Sequence, residues 1–227
     1  GSFEPEEIRS FTDAMPDHYL RTTSVQKQLY HLDMYRHLLK ENLVIRYRHR
    51  PDKGYTELTV CAYDAYGMFY RTAGTIAAKN LNVLRAKVYT GRNGVMIDTF
   101  HITDAEGKLI PYDEVWRTIT ADLREVLLGG RRPPEPRPSQ FDRAVTATVP
   151  ASVAFDNTVS DALTIIDIIA KDRVGLLYRI TKCLYDLNLD IASAKIVTEG
   201  VRVMDSFYVS DLFRMKITDP ERLAKIK

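Results

Sequence analysis

A chain of 227 residues, 45% hydrophobic and 27% charged, can bury one large or two small cores, and its 32 basic against 30 acidic residues leave a formal charge of +2. That balance excludes the electrostatic footprint of a nucleic-acid or anionic-lipid binder. No apolar run reaches the roughly 18 residues needed to span a bilayer, no leader pattern opens the chain, and Cys61 and Cys183 have no neighbours that would make a disulfide framework or a zinc cluster, so a reducing cytoplasm is the expected location.

Residues 3–50 predict a helical arm. A short helix is expected around EPEEIRSFTDAM and a longer one over TSVQKQLYHLDMYRHLLKEN, opened by a Thr23/Gln26 capping box, with Val25, Leu29, Leu32, Tyr35 or Arg36, and Leu39 down one face. The arm is too small to be a domain, so its apolar stripe needs cover, either from the residues that follow or from a domain outside this chain.

After the arm, TELTVCAY (56–63) reads as a buried strand, Asp64-Ala65-Tyr66-Gly67 as a break, and YGMFYRTAGTIAAKN as a helix. LNVLRAKVYT and VMIDTFHITD then form a hairpin about Gly91-Arg92-Asn93-Gly94, and YDEVWRTITADLREVLLG a second helix. A closing strand is expected in AVTATVPASVAF (144–155), beyond the linker GGRRPPEPRPSQ. The order starts again with TIIDIIAK (164–171), Asp172-Arg173-Val174-Gly175, GLLYRITKCLYDLN, LDIASAKIVT and VRVMDSFYVSD. Asp219 and Pro220 then cap a helix that the chain end at Lys227 cuts short.

The two runs are one module written twice. At a constant offset Thr56 matches Thr164, Asp64 Asp172, Gly67 Gly175, Tyr70 Tyr178, Arg71 Arg179, Asn80 Asn188 and Lys87 Lys195; after one deletion Asp98 matches Asp205 and Phe100 Phe207. The expected fold is α+β, two ferredoxin-like βαββαβ modules with antiparallel sheets, preceded by the arm. The expected domains are an arm at 3–50, a first module at 51–130 with 143–156, a linker at 131–142 and an incomplete second module at 157–227.

Catalytic signatures are missing. The histidines, His18, His31, His37, His49 and His101, form no HExxH or His-Asp pair, and no GxSxG, GxxxxGK[ST] or GxGxxG occurs. His31 and His37 are expected on solvated helix surface, and Asp98 and Asp205, set between inward-facing apolar residues, in structural hydrogen bonds. The repeated turn does have chemistry. A strand ends at Asp-x-x-Gly and a helix starts at once, so unpaired first-turn amides and the positive helix end could take a carboxylate, glycine lets it approach, and the acid could accept from an ammonium. The plainer alternative is helix capping alone.

Two DxxG turns in tandem modules resemble paired ACT domains, the amino-acid-sensing regulatory module. FTDAMPDHYL, the DAYG and DRVG segments with their flanks, GVMIDTFHITDAEG and LDIASAKIVTEGVRVMDSFYVSDLFRMKIT together resemble the C-terminal region of the bifunctional uridylyltransferase/uridylyl-removing enzymes of bacterial nitrogen control. The resemblance implies that this chain is a regulatory piece with no catalytic residues of its own. It implies free glutamine as ligand, upstream catalytic domains that use Mg2+ and act on the signalling protein PII, and pairing of the ACT modules within the chain or in a homodimer. It also implies a ligand loop at Asp64, Ala65, Tyr66, Gly67 and Met68, a second at Asp172, Arg173, Val174, Gly175 and Leu176, and contributions from Asn82 and Asp190 of the neighbouring module. Tyr66 and Val174 replace the proline that the family usually carries, which frees φ there. The competing expectation is an ACT interaction module whose sites bind nothing; RNA binding is disfavoured by near-neutral charge and the absence of a basic-glycine-aromatic strand.

Overall fold

The computed structural model describes residues 3–135 and 149–227. The arm is three helices, α1 (Pro5–Ala14), α2 (Asp17–Thr22) and α3 (Val25–Leu38). The first half of the remainder is β1 (Leu43–Arg50), β2 (Tyr55–Tyr63), α4 (Met68–Ala78), β3 (Leu81–Thr90), β4 (Val95–Asp104) and α5 (Asp113–Leu128). The second half is β5 (Ser152–Asp156), β6 (Thr164–Lys171), α6 (Leu176–Asp186), β7 (Leu189–Glu199), β8 (Arg202–Asp211) and α7 (Pro220–Ile226). All eight strands join one antiparallel sheet in the order β1-β2-β4-β3-β7-β8-β6-β5. Each half thus has the ferredoxin-like strand order, and the halves meet where β3 pairs with β7 from Arg85 opposite Val197 to Tyr89 opposite Ser193.

The fourth strand of each half comes from in front of it, which corrects two expectations. β1 lies inside the stretch read as arm, and it pairs antiparallel with β2 across a turn closed by the Gly54 amide on the Arg50 carbonyl at 2.9 Å, with Gly54 at φ +74°. Residues 152–156, expected to close the first module, pair with β6 of the second instead; residues 144–148 of that call lie outside the described residues. A short hairpin closes at a lower entropic cost than a strand returned over a long proline-rich linker. Leu43, Ile45 and Tyr47 do alternate toward the core, but Arg46, Arg48 and Arg50 between them hid a strand behind a basic composition. All four strands of the second half therefore lie within the chain. At its end Asp219 does cap α7, accepting from the Glu221 amide at 3.1 Å.

One face of the sheet carries α4, α5 and α6 over Leu58, Val60, Phe100, Ile166 and Phe207. Opposite the first half, the arm buries Phe11, Met15, Tyr19, Met34 and Leu38 on Val44, Cys61, Tyr89 and Ile97. Strand alternation sends neighbouring side chains to these two layers. The arm keeps part of the predicted stripe and shifts the rest: Leu32 is buried and Tyr35 partly so, but Val25, Leu29 and Leu39 are exposed and Tyr30, Met34 and Leu38 are buried in their place. Apolar residues lie on several faces of α3, so periodicity alone could not select the face that tertiary packing takes. Ser24 precedes the helix and no side chain caps it; Gln28 instead donates to the Thr23 carbonyl at 2.7 Å. His31, expected in solvent, is buried and its Nδ1 meets the Tyr19 hydroxyl at 2.9 Å, with burial pushing its pKa down to about 3. Among the described residues no helix is long and apolar enough to cross a membrane.

Candidate ligand sites at the two DxxG turns

Both turns are built alike. After β2 the Asp64 amide donates to the Gly94 carbonyl at 2.8 Å, and the Met68 amide closes back on the Ala65 carbonyl at 3.0 Å. After β6 the Asp172 amide donates to Val201 at 2.8 Å and the Leu176 amide to Arg173 at 3.1 Å. Gly67 and Gly175 precede the helices at φ +83° and +80°, a left-handed conformation that costs an L-residue with a side chain about 1–2 kcal/mol. This is why the repeat keeps glycine there. The first-turn amides of Gly67, Phe69 and Tyr70, and of Gly175, Leu177 and Tyr178, have no hydrogen-bond partner among the described residues.

Each turn opens on a cleft completed by the other half. The β3–β7 junction brings Asp190 to the first turn, whose cleft of about 380 Å³, partly open to solvent, is also lined by Asp64, Ala65, Gly67, Met68 and Asp98. The second cleft, about 340 Å³, is lined by Asn82, Asp172, Arg173, Gly175, Leu176 and Asp205. Asn82 donates to Asp172 at 2.9 Å. Ten of the twelve sequence-predicted residues thus gather in two clefts related by the repeat. Tyr66 and Val174 do not line them. Tyr66 turns away, donates to the Tyr185 carbonyl of α6, and stacks on the Tyr185 ring at 4.5 Å. Tyr185 in turn stacks on Tyr70 at 4.5 Å and sits so close to Gly67 that a Cβ there would lie 2.6 Å from its ring.

Sequence reasoning placed Asp98 and Asp205 in structural roles and so left out the inner walls of the two clefts. Asp98 is fully buried and neither carboxylate oxygen has a hydrogen-bond partner among the described residues, so the expected structural hydrogen bonds are not made there. Asp205 accepts one bond, from the Val197 amide at 3.3 Å. Strict alternation along β4 and β8 was the signal: Asp98 shares its face with Met96 and Phe100, and Asp205 with Val203 and Phe207. Burial raises all the carboxyl pKa values here. Asp64 is pushed up to about 6, with its Thr90 hydroxyl bond at 2.9 Å opposing and the Asp190 charge assisting. Asp98 goes well above the usual range, by burial and then by Asp64, against a partial offset from the Tyr89 amide that closes no hydrogen bond. Asp205 is pushed up to about 7. Asp172 and Asp190 rise for the same reason. These clefts offer donors at the helix starts and acceptors opposite, which suits a small zwitterion. No group of three or more His, Cys, Asp or Glu among the described residues is placed to hold a metal ion.

Residues 152–227 match the family described as "ACR9-like, ACT-like domain". Over 186 residues the chain is 38% identical to the bifunctional uridylyltransferase/uridylyl-removing enzyme of Gluconobacter oxydans, and over 184 residues 37% identical to that of Rhodospirillum rubrum. These alignments take in 78% of this chain and 19% of either relative, so the chain spans about a fifth of their length. A solved aspartate kinase from Synechocystis overlays on 71% of this chain and 25% of its own at a TM-score of 0.40 and 14% identity, too loose a likeness to argue from. The chain belongs with the bifunctional uridylyltransferase/uridylyl-removing enzymes, corresponds to about a fifth of their length, and carries an ACT-like domain over residues 152–227.

Proposed function

We propose that this chain is the amino-acid-sensing regulatory part of such an enzyme, with free glutamine as its ligand, cytoplasmic, and coupled to catalytic domains that act on PII. The observation that carries the reading is the composition of each cleft: unpaired amides and carboxylates of one module lie together with a polar group from its neighbour, Asp190 in the first cleft and Asn82 in the second. A free amino acid has the complementary ends, a carboxylate for the amides and an ammonium for the acids. Because both modules contribute, a bound ligand stabilises their pairing, and any equilibrium between paired and rearranged modules shifts by as much as the two states differ in affinity. The arm, packed on the back of β2 and β4, is placed to pass that shift to domains preceding it.

The test is a thermal melt of the 227-residue chain with each of the twenty amino acids at millimolar concentration. Saturation to about 100 times Kd adds about 2.7 kcal/mol, or very roughly 5–10 °C for a domain of this size, and glutamine is expected to give the largest gain. Tyr185, seated against Gly67, favours a second reading in which the modules only mediate pairing. A profile flat across all twenty would support that reading and reject sensing.

A further inference from the structure

The sensing proposal concerns the turns; the deepest polar atoms of the first cleft lie elsewhere, on β4. Asp98 is fully buried with two unpartnered oxygens, and it lines the same cleft as Asp64, Gly67 and Asp190. An unpaired buried acceptor costs stability and is retained where it has a use. Among the described residues the first cleft has three carboxylates in its lining and no Lys, Arg or His. We infer that Asp98 is the receptor for the ligand's positively charged ammonium group, and that the acid-lined first cleft admits amino acids with neutral or cationic side chains while rejecting acidic ones. This rests on the amino-acid-sensing reading and names the residue that gives it selectivity.

Geometry sets the polarity of binding. The ligand carboxylate goes to the amides of Gly67, Phe69 and Tyr70 at the start of α4, and the ammonium end points inward to Asp98, with Asp64 and Asp190 at its sides. A carboxylate side chain, as in glutamate, would meet these acids at short range, and like charges in a desolvated cleft are strongly disfavoured. A carboxamide would donate to them instead. The second cleft has the same design with Asn82 where the first has Asp190, and Asp205 already accepts one backbone bond, so it discriminates less by charge.

A proton takes part. Empty, Asp98 holds its proton well above the ordinary carboxylate range, first because it is buried and then because of Asp64. An ammonium beside it favours the ionised form, so binding expels the proton to solvent and tightens as pH rises. Among the described residues the other titratable groups facing this cleft are Asp64 on the turn, Tyr70 on α4, Tyr185 on α6 and Asp190 on β7. Arg214 acts on Asp64 and Asp190 from beyond β8, and Cys61, on the opposite face of β2, feels the Asp98 charge.

The experiment is isothermal titration calorimetry of the whole chain with L-glutamine and with L-glutamate, in two buffers of different ionisation heat, for the unaltered protein and for Asp98→Asn. The unaltered protein is expected to bind glutamine with proton release and to bind glutamate at least tenfold more weakly. Asp98→Asn keeps the shape and removes a buried acid, so its unliganded melting temperature should not fall; it is expected to lose one binding step, or tenfold in that step, together with its proton. Glutamine binding without proton release, and with the same isotherm in Asp98→Asn, overturns the role of Asp98 while leaving amino-acid sensing intact. Binding of glutamate as tight as glutamine overturns the selectivity. No heat with either amino acid and no thermal gain with any other removes the sensing reading and this inference together.

Discussion

Trp116→Ala is expected to lower the stability of the chain by about 3–5 kcal/mol, the cost of removing a large aromatic side chain from a packed interior. Trp116 is fully buried on α5 and stacks on Tyr47 of β1 with ring centroids 5.7 Å apart. Its indole N–H donates to the Ile110 carbonyl at 3.0 Å, an acceptor otherwise reached only by the Thr56 hydroxyl at 3.4 Å. The alanine variant loses the area, leaves a cavity under β1 and weakens the satisfaction of that carbonyl. At about 2–4 °C per kcal/mol for a domain of this length, calorimetry should show the melting temperature falling by about 6–20 °C. A fall of only a degree or two would mean that β1 and α5 are not held together as described.

Asp205→Asn is expected to act in the opposite direction, and only above acidic pH. The unfolded carboxyl releases its proton near the ordinary value of 3.8, whereas the folded one holds it to about 7 because burial outweighs the Val197 bond and Asp172 adds repulsion. The sign follows: the folded state binds more protons between those two values, so this group's contribution is fully present below about pH 4 and is lost as pH rises toward 7. At 1.36 kcal/mol per tenfold in proton affinity, the loss is on the order of 4 kcal/mol as an upper bound. Asparagine keeps an acceptor for Val197 and has no charge to bury. Urea melts should therefore show the variant about 2–4 kcal/mol more stable than the parent at pH 8 and equal to it at pH 4. An equal difference at both pH values would assign the effect to packing instead.

The legibility of this chain follows from the range over which each feature is determined. The DxxG turns, helices α4 and α6 and the hairpins β3–β4 and β7–β8 are set by local chemistry: a left-handed glycine, an apolar stripe, a tight turn. Repetition then doubled the evidence for each. β1 was missed because its arginines face away from α5 and lend a real strand the composition of a surface segment, and because a fourth strand was sought after the module, not before it. His31 and the α3 stripe were misplaced since the arm's buried face is decided by contact with Val44, Tyr89 and Ile97, which are remote in sequence. Asp98 and Asp205 show the same limit within the sites. Their alternation said inward, but only the assembled sheet shows that inward there means into a cleft where Asp98 has no hydrogen-bond partner among the described residues.

The reading also gives the repeat a physical purpose. A single module presents a turn and its own inner acid, Asp98 or Asp205, but not the further polar group that the neighbour adds, Asp190 in the first cleft and Asn82 in the second. On the proposed function, ligand occupancy and the β3–β7 junction form one linked equilibrium, and a regulatory signal needs no movement inside either module.

The account stands most directly on backbone amide NMR of the chain during titration with glutamine. It predicts that the largest shifts fall on Gly67, Phe69 and Tyr70 and on Gly175, Leu177 and Tyr178, saturating together with smaller shifts along β3 and β7. Saturable shifts confined to other surfaces, or none in the millimolar range, would contradict the claim that these helix starts receive a free amino acid.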